Sequence, residues 1–249
     1  MTRAPRKSPG LLRSAWPVMA MTMTMAMAIT MATAAHAAAP TAAAPAPAPA
    51  PAAQADSVFA HPASTTELAR LTHATAQSLG KAKAVRGKFV QRRHLADLAQ
   101  PLESSGSFLF AREAGIEWHT QLPFDSQFLL AESGITQRDE GGVTLSIQAS
   151  EQPALAVVSR VFFALFALDL DALSHDFELY GEARGTGWVL GLKPRAEALG
   201  SVFRQAIVSG GATVERVLLE DGNGDSSEII LQGVQYDPAG MTADERRRF

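Results

Sequence analysis

The stretch PALAVVSRVFFALFALDL, residues 153–170, carries more apolar surface than an ordinary surface helix. Fourteen of its eighteen residues are Ala, Val, Leu or Phe, and its polar side chains are Ser159, Arg160 and Asp169. An apolar run of this length predicts a helix rather than a strand, and Pro153 suits the first helical position. Its length and Arg160 argue against a membrane span. We expect a helix with one side on a β-sheet and the other against a second apolar surface.

The beginning of the chain is typical of an exported protein. Four basic residues within the first thirteen precede a Met- and Ala-rich stretch, and Ala35-His36-Ala37 fits a small-x-small cleavage pattern. We predict a signal peptide over 1–37; the alternative is an uncleaved anchor. An Ala/Pro-rich segment follows, which predicts an extended, flexible linker over 38–63. Residues 64–249 are enough for one domain with a single core.

The predicted mature chain is acidic and has no cysteine. Removing the four basic residues of 1–37 leaves 18 Lys and Arg against 25 Asp and Glu, a net charge of −7. This charge argues against nucleic acid as a partner. The lack of cysteine excludes a lipobox anchor, disulfides and thiolate chemistry. We expect a soluble periplasmic protein.

The spacing of apolar residues changes along the predicted domain. Ser64 and Glu67 form a capping-box pattern, and the apolar spacing after them predicts a helix over 65–79 that lies on the sheet. From Ala84 onward the period changes to two, which predicts an antiparallel sheet that curls into a barrel or part of one. The strand-like runs are VRGKFVQ, LESSGSFLFAR, GIEWHTQ, FLLAES, GVTLSI, HDFELY, GWVLGLK, SVFRQAIVSG, TVERVLLED and SEIILQGV.

A spaced set of short segments runs through the strand region. Its members are, in order, GKFVQ (87–91), ESSGSF (103–108), Arg112, Trp118, Pro123, GWVLGLKP (187–194) and LEDGNG (219–224). Arg112 comes six residues after Gly106, and Trp118 comes six residues after Arg112. In order and spacing, and together with the signal peptide, these segments resemble the periplasmic outer-membrane lipoprotein carrier (LolA) family.

The resemblance implies an α+β fold that is mainly antiparallel β. Its barrel would be unclosed and curved, with about ten to eleven strands and with helices covering the concave face. It further implies a non-catalytic carrier that binds the acyl chains of lipoproteins in a hydrophobic cavity. By resemblance, an inner-membrane ABC-type release complex supplies the cargo and an outer-membrane receptor accepts it. No cofactor or metal is implied, and we expect a monomer.

The resemblance also suggests which side chains act. The 153–170 helix would be a lid that competes with lipid for the cavity. In the family, the arginine matched by Arg112 hydrogen-bonds to lid backbone, so Arg112 is the predicted latch. A plainer interpretation is that the aromatic residues are ordinary core and that Arg112 is a surface residue. The predicted lipid-cavity residues are Phe89, Phe108, Phe110, Trp118, Leu130, Phe162, Phe163, Phe166, Trp188 and Leu190.

Departures from the family pattern bear on the cargo more than on the fold. Glu113 stands where the family usually has proline, and residues 133–138 lack an aromatic residue that the family has after its turn. The Ala/Pro linker is also not typical. The cargo is therefore left open between lipoprotein acyl chains and another acylated or polyene-like lipid.

Signals for catalysis or metal binding are weak. The sequence has no G-x-S-x-G or H-E-x-x-H motif, and its histidines are scattered. A carboxylate pair made by Glu103 and Glu117 is only conceivable, because nothing in the sequence shows that they face each other. The acidic segment 221–225 fits a hairpin turn better than a calcium loop. We expect a protein that is not an enzyme.

The alternative function is a non-catalytic envelope scaffold or protein-binding module. Such a protein would use the open edge of the barrel to add a strand from its partner, and the 153–170 helix would then be simple core. The basic tail, Arg246 to Arg248, is expected to be a solvated end; the alternative is contact with anionic lipid headgroups.

Overall fold

One open β-sheet dominates the fold. A computed structural model describes residues 57–150, 153–200 and 203–249. Within these residues, eleven antiparallel strands pair in the order β6-β5-β4-β3-β2-β1-β11-β10-β9-β8-β7, so β6 and β7 are the outermost strands and the barrel is not closed. The strands are β1 (Ala84–His94), β2 (Leu102–Ala111), β3 (Gly115–Leu122), β4 (Ser126–Ala131), β5 (Gly134–Asp139), β6 (Gly142–Gln148), β7 (Phe177–Arg184), β8 (Gly187–Pro194), β9 (Phe203–Gly210), β10 (Val214–Asp221) and β11 (Ser226–Asp237).

The helices are short and few, which confirms the predicted α+β class with an unclosed barrel. The described residues form α1 (Thr65–Leu71), α2 (His73–Lys81), α3 (Pro153–Ala167), α4 (Leu170–Asp176), α5 (Glu197–Gly200) and α6 (Ala243–Arg246). Ten strands correspond to the predicted runs. β5 does not, because GITQRD has a single large apolar residue and therefore no apolar alternation.

Alternation of side chains gives the sheet two distinct faces. Residues directly opposite each other in antiparallel strands point to the same side. Val85, Phe110 and Ile116 are opposite one another on β1, β2 and β3, and all three are buried. They lie in one core cluster with side chains of the helices, so we call this side the inner face. Arg86, the next residue after Val85, points to the outer face.

The predicted helix over 65–79 is divided into α1 and α2. The capping box is present: Ser64 Oγ accepts from the Glu67 N–H at 3.3 Å, and Glu67 Oε2 accepts from the Ser64 N–H at 2.8 Å. The division falls at Thr72, whose buried hydroxyl donates to the Leu68 carbonyl oxygen at 2.9 Å. Such back-bonding bends a helix.

The apolar stretch 153–170 forms α3 and the first residue of α4. α3 begins at Pro153, as predicted. It ends early because Leu168 adopts the left-handed conformation, with φ of 52°. This conformation costs roughly 1 kcal/mol for a residue other than glycine, and burial of the leucine side chain offsets it. Asp169 then caps α4, since its Oδ1 accepts from the Ala172 N–H at 3.0 Å.

The packed part of the chain begins before the predicted domain boundary. Val58 is fully buried, and the N–H of Ala63 donates to the Leu179 carbonyl oxygen on β7 at 3.1 Å. Residues 57–63, which sequence analysis assigned to the linker, therefore cover part of the β7 edge. Residues 1–56, with the predicted signal peptide and most of the linker, lie outside the described residues.

The carboxy-terminal segment binds the outer face of the sheet. Arg86 donates from Nε and Nη2 to Glu245 at 2.6 and 2.7 Å, and from Nη1 to Asp237 at 2.8 Å. Arg248 forms a 2.7 Å ion pair with Glu117, which is only 4 % exposed. The basic tail is exposed, as predicted for a solvated end, but Arg248 is also anchored, because the buried carboxylate of Glu117 requires a cationic partner.

Candidate functional site

Two parallel rows of side chains cross the inner face from β2 towards β6. The covered row consists of Phe110, Ile116, Leu130 and Ile135, none more than 3 % exposed. The open row lies one step nearer to the end of the sheet where β1 leads into β2, and it consists of Phe108, Trp118, Phe128, Gln137 and Leu145. In the open row only Phe108 is fully buried. The inner face is therefore sealed at one end and partly exposed towards the other.

Aromatic rings connect α3 to these two rows. The ring centre of Phe166 lies 5.7 Å from that of Phe110 and 6.2 Å from that of Phe108. Further along, Trp118 stacks on Phe89 with ring centres 4.0 Å apart. Six predicted cavity residues thus form a continuous series of ring contacts, which we call the aromatic series: Phe163, Phe110, Phe166, Phe108, Trp118 and Phe89.

Three of the four remaining predicted cavity residues are described, and they lie in different halves of the sheet. Leu130 belongs to the covered row, whereas Trp188 and Leu190 lie on β8, in the other half of the sheet. Trp188 is buried, and its Nε1 donates to Thr75 Oγ1 on α2 at 3.0 Å. The side chain of Phe162 lies outside the part of α3 that the structure describes. The structure therefore places most of the predicted set on β1 to β4 and α3, and the two β8 residues in the other half of the sheet, within the same core cluster.

A charged cluster lies on the inner face where β1 ends. Arg93 is 9 % exposed, and its Nη2 lies 2.8 Å from Asp221 and 3.4 Å from Asp225. Burial raises the pKa of Asp221 despite Arg93, whereas a hydrogen bond from the Ala96 N–H lowers the pKa of Asp225. Sequence analysis missed this cluster. The alternation of side chains along β1 could have revealed it. Arg93 lies four residues after Phe89 and therefore points to the same apolar face, where a charged side chain needs partners of opposite charge.

Arg112, the predicted latch, follows the last residue of β2 and is exposed. Its Nη2 lies 3.5 Å from the carbonyl oxygen of Leu79, in the last turn of α2. This distance is long for a hydrogen bond. The accepting carbonyl belongs to α2 and not to the 153–170 helix itself, although α2 contacts α3.

Comparison with protein families identifies the family of this chain. The family model described as outer membrane lipoprotein carrier protein LolA-like matches residues 65–248. The chain belongs to this LolA-like family. The matched region includes every strand and every helix from α1 to α6. No curated protein sequence matches the chain.

Solved structures similar to this LolA-like chain share little sequence with it. A LolA superfamily protein from Nitrosomonas europaea is 12 % identical, with 69 % of this chain and 96 % of that chain covered and a TM-score of 0.36. Lipoprotein LppX from Mycobacterium tuberculosis is also 12 % identical, with 68 % and 95 % covered and a TM-score of 0.38. MucB, solved in complex with the periplasmic part of MucA, is 16 % identical, with 74 % and 58 % covered and a TM-score of 0.32.

Charged groups outside the charged cluster form separate ion pairs. Glu103 binds Arg92 at 2.8 Å on the outer face, so Glu103 and Glu117 belong to separate ion pairs. His119 binds Asp125 at 2.8 Å. In the described part of the chain, no three His, Asp or Glu side chains are grouped in a way that could hold a metal ion. No helix among the described residues is long and apolar enough to cross a membrane.

Proposed function

We propose that this LolA-like protein is a non-catalytic periplasmic carrier that binds the acyl chains of lipoproteins, or of a related lipid, on its inner face. It would receive its cargo at the inner membrane, from an ABC-type release complex, and deliver it to a receptor at the outer membrane. The observation that supports this role most directly is the open row. Trp118, Phe128 and Leu145 are large apolar side chains that remain half-buried at the margin of the core cluster.

The energetics of lipid binding favour a competing lid. Burying an acyl chain of about 16 carbons is worth roughly 13 kcal/mol before the losses of chain and rigid-body freedom. A lipid held this strongly would leave slowly if nothing replaced it. Phe163 and Phe166 can replace it, because they already contact Phe110 in the aromatic series. Loading and release would then be a population shift between two packings of the same face.

Lipid analysis of the protein tests the carrier role directly. The full chain would be expressed with its own signal sequence, isolated from the periplasm and examined by native mass spectrometry and lipidomics. We expect a fraction of the molecules to carry one acylated lipid. Protein that is free of lipid and that also fails to take up a fluorescent fatty acid would contradict the proposal.

A pair of matched variants tests the involvement of α3. In Phe163→Asp, the new carboxylate cannot remain against Phe110, so the lid packs less well. We expect a lower Tm for the lipid-free protein and a larger bound fraction of a fluorescent fatty acid. Phe59→Asp is the control, because Phe59 is a half-buried phenylalanine on the opposite face, with its ring 5.3 Å from Tyr180. It should lower Tm without changing fatty-acid binding.

One observation favours the alternative of a scaffold that binds a partner strand. β6 is the outermost strand on one side of the sheet, and its residues are mostly exposed, whereas residues 57–63 partly cover β7 on the other side. A partner strand could therefore pair with β6. Replacing Thr144 and Ser146 of β6 by proline should abolish partner binding in a scaffold. The same change should leave fatty-acid binding by a carrier intact.

A further inference from the structure

The exposed large apolar side chains of the described residues lie at one end of the sheet. Among the described residues, the exposed ones are Leu98 at 49 %, Leu122 at 63 %, Phe124 at 61 % and Val143 at 60 %. Single exposed apolar residues are ordinary on a protein surface, but a group of them marks a contact site. Their common location is therefore informative.

Strand pairing shows that the group shares one end of the sheet. Leu98 lies in the connection from β1 to β2, Leu122 and Phe124 lie where β3 leads into β4, and Val143 follows the β5–β6 turn. Ser126 pairs with Asp139, which brings the last two connections together. Neighbouring strands are about 4.8 Å apart, so successive connections are roughly 10 Å apart. We call these three connections the apolar rim. The open row of the inner face lies nearer to this end than the covered row does.

The charge of the apolar rim restricts what it can contact. The three connections carry the acidic residues Asp97, Asp125 and Glu140 and no Lys or Arg, and Asp139 is the last residue of β5, directly after Arg138. His119 already binds Asp125, and Asp139 Oδ1 accepts from the Gly141 N–H at 2.9 Å. An acidic rim is repelled by anionic lipid headgroups, which basic segments normally bind. The ammonium group of phosphatidylethanolamine, in contrast, can donate hydrogen bonds to carboxylates.

We propose that the apolar rim inserts into a lipid surface that contains phosphatidylethanolamine. Phe124 and its apolar neighbours enter the boundary between headgroups and acyl chains, where aromatic residues are favoured. The acidic side chains stay at the level of the ethanolamine groups. A lipid surface fits this geometry better than a protein does, because it can deform around side chains on three separate connections, whereas a protein would need a matching pocket for each.

Flotation with vesicles tests this proposal on the mature full chain. The vesicles would contain phosphatidylcholine alone, equal parts of phosphatidylethanolamine and phosphatidylcholine, or equal parts of phosphatidylglycerol and phosphatidylcholine. We expect the strongest binding with phosphatidylethanolamine and the weakest with phosphatidylglycerol. The double variant Leu122→Asp/Phe124→Asp should bind about 100-fold more weakly, because two apolar side chains no longer leave water. Thr186→Asp adds a charge at the exposed β7–β8 turn at the opposite end and should bind like the wild type.

The outcomes separate this proposal from the carrier role. If the wild type floats with none of the vesicles, or if the double variant binds as well as the wild type, insertion of the apolar rim is disproved. Strongest binding to phosphatidylglycerol would also overturn it. Fatty-acid uptake by the double variant should match that of the wild type, since neither residue lies on the inner face. If the wild type takes up no fatty acid, only the carrier proposal is contradicted.

Discussion

The two halves of the sheet are covered by helices in different ways. Over β7 to β9, α1 lies so close that a Cβ atom at Gly181 would be 2.2 Å from Leu68. A polar contact also ties that half, because Trp188 on β8 donates to Thr75 on α2. Over β2 and β3, α3 is held by aromatic rings such as that of Phe166, and its contacts to the sheet are apolar. In the proposed carrier, the first half is a permanent core, and the second exchanges its cover for a lipid.

The chemistry of the helices explains this difference. Trp188 Nε1 donates both to Thr75 Oγ1 at 3.0 Å and to the Gly211 carbonyl oxygen at 3.2 Å, and the Thr75 hydroxyl donates to the same carbonyl at 2.5 Å, so departure of α2 would break two buried hydrogen bonds. A phenylalanine that leaves another phenylalanine loses only apolar contact, and an acyl chain restores that contact. Exchange is therefore possible where the cover is purely apolar. It costs more where the cover also makes buried hydrogen bonds.

The largest expected effect is on stability in the β7–β9 half. Leu190→Ala leaves a cavity under α1 and α2 and should lower the free energy of unfolding by about 3 kcal/mol. Urea unfolding measures this loss. Fatty-acid affinity of the folded fraction should not change, because Leu190 lies in the permanent core. A matching loss of affinity would show instead that lipid enters beneath α1, and the comparison of the two halves would fail.

A smaller loss of stability, with a gain in binding, is expected from Phe166→Ala in α3. Phe166 is half-buried, so its removal should cost about 2 kcal/mol, less than the removal of a fully buried phenylalanine. The closed packing loses its filler, and the apparent Kd for a fluorescent fatty acid should fall roughly tenfold. Leu190→Ala is the matched control, since it destabilises the fold without touching α3. Weaker binding by Phe166→Ala would mean that Phe166 contacts the lipid rather than competing with it.

Sequence reasoning identified the faces of the strands better than the ends of the helices. A period of two is local, so Phe108, Phe110 and Trp118 could be assigned to one face without knowing which strands pair. The end of α3 could not be predicted, because leucine disfavours the left-handed conformation; burial of its side chain and a hydrogen bond from the Asp169 N–H to the Ala164 carbonyl oxygen at 2.9 Å stabilise it here. The ion pair of Glu117 with Arg248 depends on a segment far along the chain, which no local pattern reveals.

The tail on the outer face supports the same strands that α3 covers on the inner face. The guanidinium of Arg86 lowers the pKa of Glu245 to about 2, from an ordinary value of 4.5. Because the folded pKa is lower than the unfolded one, the contribution of this pair to stability is complete above about pH 4.5 and is lost as the pH falls towards 2. In the proposed carrier, these contacts would hold the outer face of the sheet while α3 moves.

Glu245→Gln tests this support. The variant loses a charge-assisted pair of hydrogen bonds and should be destabilised by about 1.5 kcal/mol at neutral pH. Its unfolding free energy should also depend less on pH between 4.5 and 2 than that of the wild type. Asp244→Asn in the same helix is the control, because Asp244 is exposed and its ion pair with Arg247 contributes little. Equal pH dependence in Glu245→Gln and wild type would contradict the assignment.

Arg112→Leu should have the smallest effect on stability, but it should raise the lipid-bound fraction of the protein. The side chain is exposed and its contact with the Leu79 carbonyl is long, so the unfolding free energy should change by only a few tenths of a kcal/mol. If Arg112 holds α2 in the position that supports α3, its loss favours the open packing, and more of the isolated protein should carry lipid in native mass spectra.

Arg112→Lys is the matched variant for this experiment, because it keeps a cationic donor but not the guanidinium fork. Occupancy between those of wild type and Arg112→Leu is expected for a latch that works through one hydrogen bond. Equal occupancy in all three proteins would remove Arg112 from the mechanism. The aromatic contacts of Phe163 and Phe166 alone would then set the balance between closed and loaded states, and the difference between the two halves of the sheet would need no polar latch.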